Sequence, residues 1–321
     1  MRGADYLRSR NNYLDRLDRE GLIDYSSGDE EFDREIGRKW HGLRPDENKF
    51  SHLYGQEEIS EDLKRINDII ESDTYQRERD PIATKAEYAL AEGLGSRGWL
   101  GPESSARITS KFDDIKAGAD LLITLPDPED PDGEDIIFVV DITTSQDCHI
   151  LDKKINSEFS RLSKNNRTRL KYFRGVKKPV NRYIIGIAPA QVDELAGALL
   201  GRFASEEIED LVRLELMEEL IYQAGKQIEF ILKNYDVIKE GEEKSQEEII
   251  NFFEDNRAAI QKQIPPELFE SIRASYALIV NLLEQKEILL ENKKGVPRLV
   301  NRRNPLEEEP VHYLTSFRQA A

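Results

Sequence analysis

The sequence predicts an α/β fold: a restriction-endonuclease-like arrangement in outline, with a mixed sheet flanked by helices and an all-α C-terminal region after it. Three observations carry this. Between residues 80 and 205 the pattern runs helix, three strands, helix, strand, helix, the alternation of a layered α/β domain. Two apolar runs, "LLITL" and "IIFVV", are joined by "PDPEDPDGED", whose three prolines, one glycine and six acids mark a solvated hairpin connection. From 206 to 292 the pattern is almost purely helical.

Taken in order, residues 1–79 are polar and charged and predict an arm or small helical cap, with "DLKRINDIIES" (62–72) helical. "PIATKAEYALAEGL" (81–94) is an amphipathic helix, with Pro81 in its first turn and Gly93 and Gly95 at its exit. "SSARITSKF", "GADLLITLP" and the run ending "VVDITTS" read as strands. Residues 150–169 read as a helix, "RYIIGIAP" (182–189) as a buried strand and "AQVDELAGALLGRFA" (190–204) as a helix. In the C-terminal region Leu268, Ile272, Ile279 and Leu283 recur at helical multiples, and "IPPE" breaks the chain before them. "KEGEEKSQEE" (239–248) is a linker or charged helix start, and 293–321 returns to loop composition. The helices of 206–292 predict a bundle beside the core and a surface for a homodimer or protein partner.

Of the 321 residues 38% are apolar and 34% charged, which excludes a membrane-embedded chain and suits a globular one. One cysteine, Cys148, excludes an internal disulfide framework and points to a reducing compartment. The N-terminus has no apolar signal core, so a cytoplasmic location is expected. A net charge of −17 argues against a general nucleic-acid coat protein. Yet residues 153–182 hold eleven Lys or Arg against one acid, Glu158, a local balance of +10. Lys153, Arg161, Lys164, Arg167, Arg169, Lys171 and Arg174 in this block are candidate phosphate contacts; a merely solvated face is the alternative.

Three carboxylates stand out. Asp141 shares a strand face with Ile137, Val139 and Thr143, where an unpaired charge is costly. Asp120 opens the preceding strand, and a hairpin would bring the two to the same end of the sheet. On the helix from Ile82, Glu87 lies about 140° from Ile82, beside the packing stripe, whereas Glu92 lies about 280° away and points outward. Taken singly, Asp120 could be a turn residue, Asp141 a local cap or ion-pair partner, and Glu87 a snorkelling acid. Together they form a hard oxygen set suited to Mg²⁺ or Mn²⁺. Asp114 either joins the metal or fixes the turn before "GAD", and the turn is favoured. Cys148 and His149 lack further partners for zinc, His41 and His52 are isolated, and Trp99 is expected to pack the loop after the first helix.

This order of elements and acids resembles the PD-(D/E)xK nuclease superfamily over roughly residues 80–205. That family's core carries a Glu on its first helix, an Asp at its second strand and an Asp/Glu-x-Lys on its third. Glu87, Asp120 in "GAD" and Asp141 match the three acids. The resemblance implies a Mg²⁺-dependent (or Mn²⁺-dependent) nuclease acting on DNA, or less readily on RNA. The motif lysine position is Thr143 in "DIT", a departure, because threonine supplies no ammonium. Some relatives are described as drawing this lysine from the following helix. There Lys154 lies about 95° from the stripe of Leu151, Ile155, Phe159 and Leu162, at the core's edge, and Lys153 about 165° away. Lys154 is therefore the expected replacement. Thr143 also motivates a catalytically silent nucleic-acid-binding or assembly module, and the long helices motivate a helical protein-interaction protein.

Overall fold

The computed structural model describes residues 30–71, 81–128, 130, 134–144, 148–163, 167–173, 179–201, 206–239 and 244–293. Helix α1 (Glu30–Leu43) leads to a short 3-10 turn (Glu47–Phe50), α2 (Ser51–Tyr54) and α3 (Gln56–Ile70). The central part is α4 (Pro81–Leu94), β1 (Ser105–Ile108), α5 (Lys111–Ala117), β2 (Leu121–Leu125), β3 (Ile136–Thr143), α6 (Cys148–Ser163), β4 (Thr168–Arg169), β5 (Pro179–Gly186) and α7 (Pro189–Leu199). Helices α8 (Glu206–Asn234), α9 (Gln246–Gln263) and α10 (Pro266–Lys293) follow.

The five strands lie in the order β1-β2-β3-β5-β4. β1/β2, β2/β3 and β4/β5 are antiparallel and β3/β5 is parallel, with α6 in the β3-to-β5 crossover. Alternation along β3 sends Ile136, Phe138 and Val140 into the main core. Val139 faces the other way, with Ala119, Leu122, Leu170 and Val180. On that second face Ile184 meets Leu151 and Ile155 of α6. The main core also takes in Phe32, Ile36 and Trp40 of α1, so this part of the expected N-terminal arm is integral to the domain.

Several boundaries differ from the sequence expectation. The helix expected over 150–169 ends at Ser163, and Thr168–Arg169 forms β4 instead. The first strand stops at Ile108, and the residues after it make α5, seven residues long. Ser110 caps α5 by accepting from Asp113 N–H, and Gly118 ends it with a left-handed φ of 62°. The "KEGEEKSQEE" segment ends in a capping box: Ser245 accepts from Glu248 N–H and Glu248 accepts from Ser245 N–H.

The C-terminal helices pack against the sheet itself and share the main core, and the first compact unit runs through Gln285. Beyond the two residues paired with β4, the outer edge of β5 carries backbone groups that need partners. Gln223 on α8 accepts from Ile184 N–H (2.9 Å) and donates to Ile184 C=O (2.5 Å), and Gln227 donates to Arg182 C=O (2.8 Å). The spacing explains the match: four helical residues rise about 6 Å and two strand residues about 6.6 Å. Lys286–Lys293, at the end of α10, belong to a second unit. Among the described residues no helix is long and apolar enough to cross a membrane.

Candidate active site

Asp120 is fixed by the sheet before its side chain is considered. Its N–H donates to Val140 C=O (2.8 Å), and its C=O accepts from Thr109 N–H (3.0 Å). Its Oδ2 then accepts from Ile142 N–H (2.6 Å), so the carboxylate closes the β2/β3 ladder next to Asp141. The two aspartates thus sit at one end of the hairpin. Burial pushes the Asp120 carboxyl well above the usual 3.8, and the nearby charges of Glu87, Asp114 and Asp141 push it further, against the opposing bond from Ile142 N–H. Three acids, on α4, α5 and β3, therefore act on Asp120 at the head of β2.

Each of the other three has a cationic or N–H partner. Glu87, buried on α4, accepts from Trp40 Nε1 on α1 (2.8 Å). Asp114 on α5 pairs with Arg44 Nη2 (2.5 Å), and the Arg44 guanidinium lies 4.3 Å from the Trp40 ring centroid. Asp141 receives two cations, Lys154 Nζ on Oδ1 (3.0 Å) and Arg182 Nη2 on Oδ2. Arg182 also reaches Glu158 (3.5 Å), which is paired with Arg161 as well (3.2 Å). Burial raises the Glu158 carboxyl, opposed by those two arginines.

Lys154 therefore stands against Asp141, its side chain 37% exposed, while Lys153 on the same helix is exposed. Thr143 is buried and paired in register with Gly186, so neither strand offers a cation at that level. Asp114, expected to fix a turn, lies on α5.

Among the described residues the basic block does not form one surface. Arg167, expected outside, is buried, donating to Glu267 C=O (2.9 Å) and Asn181 Oδ1 (3.0 Å). Its guanidinium is pushed down to about 10 by burial. Lys171 is held by Glu58 (2.5 Å) and Asp62 among the rings of Tyr54, Phe112 and Tyr172. Arg161 serves Glu158, and Arg169 is exposed on β4. Lys164 and Arg174 lie outside the described residues, as do the side chains of Cys148 and His149. His41 stacks edge-on against Trp40, His52 Nδ1 lies 3.1 Å from Lys49 C=O, and Trp99 is buried against Gly93.

Sequence reasoning missed Arg182, Glu158, Trp40 and Arg44 as parts of this site. For Arg182 a signal exists: alternation from Ile184 puts it on the Asp141 face of β5. Trp40 and Arg44 come from a segment with no motif, 47 and 70 residues from their partners.

No protein-family model, curated protein or solved structure matches the chain. Its fold and site therefore stand on their own geometry. The donor chemistry of Glu87, Asp120 and Asp141 suits a hard divalent cation, and the repulsion felt at Asp120 is what such an ion would relieve. Among the described residues no three His, Cys, Asp or Glu side chains are already arranged to ligate one ion. Loading would require at least Asp141 or Glu87 to exchange a protein partner.

Proposed function

We propose that this chain is a Mg²⁺- or Mn²⁺-dependent phosphodiesterase with a restriction-endonuclease-like core, acting on DNA. One observation carries the reading: a buried aspartate in the field of three other acids, beside an aspartate on which two cations converge. Such clustering costs stability and is characteristic of sites with work to do. Glu87, Asp120 and Asp141 would hold the cation, which when bound polarises a phosphate and makes its water a nucleophile at neutral pH. Asp120 is the fixed member, because backbone bonds on both sides set its position. The Lys154 ammonium, at the edge of α6, orients the attacking water and offsets charge developing on the phosphate oxygens. Exposed Lys153 and Arg169 track the DNA backbone without reading sequence.

A second reading is favoured by a different observation. Glu87, Asp120 and Asp141 are each satisfied by protein donors, as in a nucleic-acid-binding or assembly module that keeps the fold without cleavage. The test is cleavage of supercoiled plasmid in Mg²⁺ or Mn²⁺, with EDTA as control. Asp141→Asn and Lys154→Ala should each slow cleavage about 10²-fold or more while the fold persists. Full activity in both variants would refute the assignment, and metal-independent retention of DNA without any cleavage would establish the second reading.

A further inference from the structure

We propose that, independently of any nuclease activity, the outer edge of β1 is a docking groove for an extended peptide of a partner protein, one that carries neighbouring basic and acidic residues. The edges of the sheet are finished differently. On β5 the Gln223 carboxamide takes up both backbone groups of Ile184. β1 lies at the opposite edge. There Thr109 N–H donates inward to Asp120 C=O, so by alternation the N–H and C=O of Ile108 and of Ala106 point away from β2. Gly95 lies against Ala106, where an added Cβ would be 3.3 Å from both its N and its O. Among the described residues no group takes up the N–H or C=O of Ile108.

A cleft of about 320 Å³ follows this edge, lined along its floor by the consecutive residues Ala106 to Ser110. Five residues of extended backbone span about 13 Å, an elongated shape that suits another extended chain. Leu43, 51% exposed, stands at the cleft with Phe50 and Phe173, an apolar lining for a guest.

Charge defines the guest. Arg107 pairs across the ladder with Leu122, which packs on the second face of the sheet, so Arg107 projects from that face. It is exposed and makes no ion pair among the described residues. Ile108 points into the main core, the side on which α4 packs, and partly exposed Glu92 of α4 lines the cleft there. In an added antiparallel strand consecutive residues turn to opposite faces. The residue opposite Ile108 turns toward Glu92, and the next, opposite Arg107, turns toward the guanidinium. A basic residue followed by an acid therefore meets both charges. The edge of a second copy does not, because Ser105 to Ser110 holds no acid for Arg107.

The experiment titrates the full chain, ¹⁵N-labelled, with the peptide acetyl-Thr-Val-Lys-Asp-Val-amide and follows the amide of Ile108 by NMR. That amide should shift as it gains a bond, and Arg107→Glu, at an exposed position, should weaken binding about fivefold or more. A peptide with lysine in place of the aspartate should bind Arg107→Glu more tightly than it binds the parent, a reversal that a structural role would not produce. N-methylation of the lysine amide, which faces Ile108 C=O in the added strand, should abolish binding. An Ile108 amide unmoved at millimolar peptide, or equal binding of the N-methylated peptide, overturns the inference. So does a concentration-dependent dimer that Arg107→Glu dissociates, because a second copy would then occupy the edge.

Discussion

Replacing Gln223 with leucine tests how the edge of β5 is held. The side chain is 2% exposed and makes two bonds to one residue, accepting from Ile184 N–H and donating to Ile184 C=O. Leucine has similar bulk but cannot make either bond. Two buried backbone groups are left unpaired, each costing about 1–3 kcal/mol. The recovered apolar burial of the leucine offsets part of this, leaving a net loss of about 2–5 kcal/mol, a large share of a typical domain's 5–15 kcal/mol. Gln227→Leu, which removes one bond to Arg182 C=O, should cost about half as much. Urea unfolding gives the free energies, and amide exchange at Ile184 reports the local opening. A loss under about 0.5 kcal/mol for Gln223→Leu, with Ile184 exchange as slow as in the parent, would mean that the helix does not complete the sheet edge.

Two further predictions concern the charges. Asp120 has a raised carboxyl, so the folded chain holds its proton more tightly than the unfolded one; its contribution to stability is present below the ordinary value of 3.8 and is lost as pH rises through the folded value. Asp120→Asn should therefore raise the Tm in EDTA at neutral pH and flatten its decline with rising pH above about 4, and an unchanged slope in thermal scans would contradict this. For the basic block, Lys153→Gln should lower the salt slope of DNA binding by about one, because Lys153 is exposed. Buried Arg167→Gln should leave that slope unchanged and lower stability by about 1–3 kcal/mol through its lost bonds to Glu267 C=O and Asn181 Oδ1; an equal slope change in both would refute the distinction.

What the sequence made legible was local. The β2/β3 hairpin follows from two apolar runs and a proline-rich acidic turn, and it brings Asp120 beside Asp141. Helical angles sort Lys154 from Lys153, and bury Glu87 while leaving Glu92 partly exposed. What was illegible depends on distance along the chain. Counting charge over 153–182 suggests a cationic surface, but the acids that consume Lys171 are Glu58 and Asp62, more than a hundred residues earlier. Arg167 is drawn inward by a carbonyl on α10 and by Asn181 on β5, neither of which a local window contains. Helix α5 was hidden for another reason: at seven residues it is too short to impose a periodicity, and only its Ser110 cap and Gly118 exit mark it.

The boundary of the working unit follows from the same long-range pairings. A core drawn from residue 80 to 205 holds the acids but omits the groups that position them. Trp40 holds Glu87 from α1, and Arg44, just beyond that helix, holds Asp114. Gln223 and Gln227 complete the edge of the strand that carries Arg182. Removing α1 together with Arg44 would leave Glu87 and Asp114 without these donors, beside Asp120, whose carboxyl burial and these neighbouring charges already push up. Removing α8 would open β5 and loosen the strand from which Arg182 reaches Asp141. The site is thus a property of the compact unit, with its acids on the central strands and helices and the groups that position them supplied from segments before and after those elements.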